Sequence, residues 1–122
     1  MLAETQRRGI GVLCMFAVRD ALSRPDKLRE TIADLVRQGQ LVPNALHPQH
    51  PLDFVEQVAE SLPDAAYRFC RAEPGMHVVL SGTGNAAHLE QNVASILRPP
   101  LPDSVRARLI DLFGQIDTVS GQ

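Results

Sequence analysis

Only two stretches of this chain read as β-strand, and helical patterns fill the space between them. Ile10 to Ala17 is a continuous apolar run carrying Ile10, Val12, Leu13, Cys14, Met15 and Phe16. A run of that length without polar alternation suits a strand covered on both faces in a parallel sheet. Val78 to Leu80 is a shorter, β-branched apolar strand. Two strands separated by helices imply a βαβ arrangement, a parallel pair with a right-handed crossover, and place the chain in the α/β class. A pair covered on both faces needs further strands beside it, and none can be read from the sequence. Its two outer edges would be liabilities for a free monomer. The chain therefore reads as part of a larger sheet, although its 122 residues allow one compact domain at most.

The helices are set by local signals. Met1 to Arg8 reads as a helix end stopped by Gly9. Ser23 opens the next helix, with Asp26 three positions on as a capping-box variant and Pro25 tolerated in the first turn. Leu28, Ile32, Leu35 and Val36 form its apolar face, and Gly39 supplies the stop. Leu41 to Pro51, rich in Pro and His, is a loop. A helical piece follows with Leu52, Val55, Val58 and Ala59 on one side. A further helix starts at Ser61 and Asp64, carries Ala66, Tyr67, Phe69 and Cys70, and stops before Pro74 and Gly75. Asn85 is a good N-cap for a helix bearing Leu89, Val93, Ile96 and Leu97, which ends at Pro99 and Pro100. The last helix runs from about Asp103 to Gly114 with Val105, Leu109, Leu112 and Phe113 turned inward.

Composition excludes several functions. With 12 Lys and Arg against 14 Asp and Glu the net charge is −2, so a basic footprint for nucleic acid is absent. One Tyr, four Phe and no Trp leave little to stack single-stranded bases on. No apolar run approaches the ~18–20 residues of a membrane span. Gly9 to Val18, behind Arg7 and Arg8, imitates a signal-peptide core but ends in Arg19 and Asp20 without a small-residue cleavage site, so a buried strand is the better reading. The two cysteines form no disulfide framework, which suggests a reducing, cytoplasmic setting.

The pattern with most chemistry is Gly82-Thr83-Gly84-Asn85-Ala86-Ala87, a G-x-G-x-x-A turn after a strand and before a helix. Glycines let the backbone approach a phosphate, and the free N–H groups of a helix start receive its charge. The dinucleotide-binding Rossmann version also needs an acidic residue ~20 positions later at the end of the next strand. Asp103 follows Pro99, Pro100 and Pro102 and begins a helix, so that version fails, leaving an anion-binding βα turn or a plain tight turn. His47, His50 and Asp53 have a metal-like spacing but sit in a Pro-rich loop with no fourth ligand, and read as solvated. His77 and His88 read as surface or capping groups. Cys14 and Cys70 read as small buried hydrophobes with no adjacent cation to activate them.

Two segments resemble the aldo/keto reductases. RGIGVLCMFAVRDAL, from Arg8 to Leu22, resembles the seventh strand and following loop of that family. AAYRFCRAEPGMHVVLSGTGNAAHLEQN, from Ala65 to Asn92, resembles its seventh helix, eighth strand and cofactor loop. The terminal helix is similar to the family's last helix, and Val42 to Ser61 is the least matched part.

The resemblance implies a partial (β/α)8 TIM barrel: the last two strand–helix units plus a C-terminal helix, mostly helical with two parallel strands. On this view residues 1–122 are the C-terminal, cofactor-facing fragment of a domain that needs ~250 residues. It also implies NADP(H) or NAD(H) as cofactor, for the reduction of aldehydes or ketones. Met15 stands where family members often have a Tyr stacked on the nicotinamide. Phe16 begins the stretch matching the loop beside the pyrophosphate. Gly82, Thr83 and Gly84 match the turn around the adenosine phosphate, His88 replaces an Arg that often holds the 2′-phosphate, and Gln91 and Asn92 match a pair facing adenine. Without a fixed cation at Gly82 or His88, no preference for NADPH over NADH follows.

The family's catalytic Asp, Tyr, Lys and His come from earlier strands. Tyr67 and Lys27, the single Tyr and Lys here, lie on helices, away from strand ends where barrel chemistry sits. The chain alone is therefore expected to be inactive. The alternatives are a small nucleotide- or phosphate-binding protein at the Gly82–Asn85 turn, or an interaction protein whose open sheet edges self-associate or complete a barrel with a missing N-terminal portion.

Overall fold

A computed structural model describes residues 2–117; Met1, included in the expected first helix, and the last five residues lie outside them. Among the described residues the order is α1 (Leu2–Arg7), β1 (Leu13–Cys14), α2 (Asp20–Ser23), α3 (Pro25–Arg37), α4 (Asp53–Glu56), α5 (Leu62–Ala72), β2 (Val78–Val79), α6 (Ala86–Leu97) and α7 (Asp103–Phe113). The chain is mostly helical, with two strands in one open sheet. No described helix is long and apolar enough to cross a membrane.

The described chain divides into two compact units, each built from two separate stretches. The first takes the residues up to Val18 and Pro63–Leu101, and so holds α1, β1, nearly all of α5, β2 and α6. β1 and β2 pair in parallel, Leu13 opposite Val78 and Cys14 opposite Val79, as expected for strands joined by a crossover. The ladder is extended at one end by His77, whose N–H donates to the Val12 carbonyl at 3.1 Å while its Nδ1 accepts from Val12 N–H at 3.1 Å. At the other end Leu80 N–H donates to the Cys14 carbonyl at 2.9 Å. Gly75 turns the chain between α5 and β2 at φ +86°, a conformation that favours glycine, and a Cβ there would sit tightly, 3.1 Å from the Leu2 carbonyl.

Two expectations for this unit are corrected. The apolar run Ile10–Ala17 gives only two residues of strand, and they are not covered on both faces: Leu13 is 59 % exposed, Met15 62 % and Phe16 64 %. The β-branched and apolar composition is present, but the strands that would cover it are not in the described chain. On α6 the expected apolar stripe is likewise open at Leu89, Val93 and Leu97, and the buried position is Ser95.

Beside Ala65, Tyr67 and Leu101 the first unit buries an ionic cluster. Asp64, only 2 % exposed, accepts from Arg68 Nη1 at 3.1 Å, from Arg98 Nη1 at 2.8 Å and from the Ser95 side chain. Arg68 also donates through Nε to the Pro99 carbonyl at 2.8 Å and through Nη2 to the Pro100 carbonyl at 3.3 Å. The first turn of α5, the end of α6 and the Pro99–Pro100 exit are thereby tied together. Burial alone would raise the Asp64 carboxyl; the hydrogen bonds from Ser95, Arg98 and Arg68 outweigh it and hold the group below its ordinary range.

The second unit takes Arg19–Leu62 and the described residues from Pro102 on. α2 packs on α3, and the buried apolar side chains are Ala21, Leu28, Leu35, Leu41, Leu52, Phe54 and Val55. α3 is the amphipathic helix foreseen, but Arg24 rather than Ser23 occupies its N-cap, without a side-chain bond, because Ser23 already ends α2. Pro25 at the start fits the orphan N–H position. Gly39 ends the helix at φ +71°, where its N–H reaches the Val36 carbonyl. The Arg108 guanidinium of α7 lies 4.0 Å over the Phe54 ring, a cation–π contact that covers this core.

Candidate functional site

In the first unit the parallel register decides what meets what. Because β1 and β2 run the same way, Met15 and Phe16 after β1 and Ser81–Asn85 after β2 leave the sheet at the same end. The carboxyl ends of parallel strands are where open α/β sheets and barrels place ligands. Phe16 leaves β1 with φ +56°, a conformation few bulky residues adopt.

The turn after β2 is ordered by its polar side chains. Thr83 Oγ1 accepts from Asn85 N–H at 3.1 Å. Asn85 caps α6 as expected: its Oδ1 accepts from Ala87 N–H at 2.9 Å and from His88 N–H at 3.4 Å. Gly82 and Gly84 are exposed, and a Cβ built on either meets nothing within 4 Å. The turn therefore faces open space, and the approach of a ligand to its backbone is unobstructed.

At the entry of the turn is a group of three side chains that sequence reading separated. Tyr67, buried on α5, donates its hydroxyl to Ser81 Oγ at 3.2 Å, and Asn92 of α6 donates Nδ2 to the same oxygen at 2.9 Å. Ser81 was missed because its signal is long-range: nothing in the local spacing joins it to Tyr67. His88 and Gln91 are exposed on α6. Thus the structure brings Gly82, Thr83, Gly84 and Asn92 together around one turn, and puts Met15 and Phe16 at the same end of the sheet.

The residues at this end of the sheet offer exposed backbone, neutral hydrogen-bonding groups and apolar surface, the kinds of group a nicotinamide dinucleotide needs. Exposed glycines and the Thr83 hydroxyl offer contacts to a phosphate-bearing chain, with Met15 and Phe16 as exposed apolar surface for a ring. Fixed charge is the weak point. No Lys or Arg occurs from Gly82 to Asn92, and the Asn85 cap already takes two N–H groups of the helix start.

The other candidates have structural roles. His47 Nδ1 accepts from Gln49 N–H at 3.3 Å and His50 N–H at 3.1 Å, and Asp53 Oδ1 accepts from Phe54 N–H at 2.7 Å, which makes them loop and helix-start groups. Among the described residues no three His, Cys, Asp or Glu side chains are placed to hold a metal. Lys27 pairs with Glu30 on α3 at 3.3 Å. Cys70 and Cys14, remote in sequence, are close enough to interact, and burial, Cys14 and Glu73 push the Cys70 thiol up to about 12. At neutral pH such a thiol stays protonated and is not a nucleophile.

Comparison of the chain with protein-family models, with curated proteins and with solved structures finds no match in any of the three.

Proposed function

We propose that the chain is the C-terminal, cofactor-facing part of an aldo/keto reductase, with β1 and β2 as the seventh and eighth staves of a (β/α)8 barrel. The observation that carries this reading is the parallel register of Leu13 with Val78, which turns Met15–Phe16 and the Gly82–Asn85 turn to one end of the sheet. The open sheet and its exposed strand side chains agree with staves that lack their neighbours. In the intact barrel, bound NADPH or NADH would supply the hydride that reduces an aldehyde or ketone. Gly82, Thr83, Gly84, His88, Gln91 and Asn92 would hold its adenosine half, and Met15 and Phe16 would line its path. The chain has no Tyr or Lys other than Tyr67 and Lys27, and neither stands at a strand end, so the proton donor must come from elsewhere in the barrel.

A free-standing phosphate site at the turn is served less well, because the Asn85 carboxamide competes for the N–H groups a phosphate would take. Two measurements test the proposal. Titration with NADPH and NADH, followed by amide resonances, is expected to show weak binding that perturbs residues 82–92; perturbation elsewhere only, or none, overturns it. Assayed with a general aldehyde, the purified chain is expected to consume no NADPH, and robust turnover would show that it is not an incomplete site.

A further inference from the structure

Ser81 Oγ receives hydrogen bonds from two different helices. Tyr67 reaches it from α5 at 3.2 Å, and Asn92 reaches it from α6 at 2.9 Å. A buried phenol loses free energy if its hydroxyl is left without a partner, and a phenol is a better donor than acceptor. Ser81 is the residue that satisfies it. Two incoming donors occupy both acceptor positions of a serine hydroxyl, so the oxygen is held in place from both sides.

The next three residues are Gly82, Thr83 and Gly84. Neither glycine has a positive φ, and a Cβ built on either meets nothing within 4 Å. Hydrogen bonds hold the turn at both ends and inside it: Ser81 at the entry is bonded to Tyr67 and Asn92, Thr83 Oγ1 accepts from Asn85 N–H, and Asn85 at the exit is bonded to the helix start. Tyr67 is thus joined to the residue at the turn's entry across fourteen residues of sequence.

We infer that Tyr67 is a positioning residue for the Gly82–Asn85 turn, acting through Ser81. The consequence for a cofactor rests on the function proposed above; the consequence for the turn does not.

The test compares the full chain with Tyr67→Phe, Ser81→Ala and Ser81→Thr. Tyr67→Phe keeps the ring and removes only the hydroxyl, while Ser81→Thr keeps the acceptor. In ¹H–¹⁵N spectra recorded well below the unfolding midpoint, the Gly82 and Gly84 amides are expected to shift in Tyr67→Phe and in Ser81→Ala, and to return toward wild type in Ser81→Thr. NADPH binding is expected to weaken roughly fivefold to tenfold in the first two variants, the equivalent of one hydrogen bond, and to recover in the third. Unchanged glycine amides overturn the inference, as do shifts spread evenly over the unit, which mark a merely structural tyrosine. Should Tyr67→Phe fail to fold, the Ser81→Ala and Ser81→Thr pair decides alone. If the wild-type chain binds no NADPH while the glycine amides still respond, the positioning role stands and the reductase reading fails.

Discussion

Asp64 is the side chain on which most of the first unit's polar burial converges. Its carboxylate takes two guanidinium groups and the Ser95 side chain, and only 2 % of the residue is exposed. Replacing it with Asn removes the negative charge that Arg68, itself 9 % exposed, and Arg98 both pair with, a change expected to destabilise by about 3–5 kcal/mol. Urea denaturation of Asp64→Asn measures this; a loss under ~1 kcal/mol would show that the cluster matters as little as an exposed ion pair. The pH dependence has a definite sign. Because the folded carboxyl lies below its unfolded value, the stabilisation is complete above about pH 4 and is lost as pH falls through the lower, folded value. Wild type should therefore lose stability in acid with a component that Asp64→Asn lacks. The Asp64–Arg68 half of this cluster was open to sequence reading as an ordinary helical i,i+4 pair. Arg98 and Ser95 were not, since they come from the far end of another helix and no local spacing announces them. The same holds for Cys14 beside Cys70 and Ser81 beside Tyr67.

Both strands and their parallel pairing were legible in the sequence, but the extent of the first was read less well than the ends of the longer helices, whose signals are local. α6 begins just after Asn85 and ends just before the prolines, and α3 ends ahead of Gly39, because caps and breakers act within one turn. β1 shrank from an eight-residue apolar run to Leu13–Cys14, because a strand exists only where a partner strand does, and β2 itself is two residues long. At this scale Asn85 is the most informative position, since it serves the helix and borders the site together. Asn85→Ala removes the acceptor for Ala87 and His88 N–H and should cost about 1 kcal/mol, while Asn85→Ser should cost much less. Amide exchange across residues 86–89 distinguishes a local from a global effect. Faster exchange confined to that turn is expected, and unchanged exchange would mean that the cap contributes nothing to α6.

The two strands place a demand on the molecule that its described residues do not meet. Each pairs with the other alone, so each has an outer edge of unpaired N–H and C=O groups. Beside those edges stand Ile10, Leu13, Met15, Phe16, Val78 and Leu80, all more than two-fifths exposed. Apolar side chains concentrated around one small sheet differ from the scattered exposed hydrophobes of an ordinary surface. A chain that supplies the closing staves of a barrel would show this pattern, and in isolation it should seek partners for them. Sedimentation velocity is therefore expected to reveal association that rises with protein concentration. Leu13→Lys, which sets a charge on the exposed strand while leaving the backbone pairing with Val78 in place, should reduce it. Sedimentation as a monomer at every concentration, with Leu13→Lys unchanged from wild type, would mean that these edges are tolerated as they stand, and the case for absent staves would go with them.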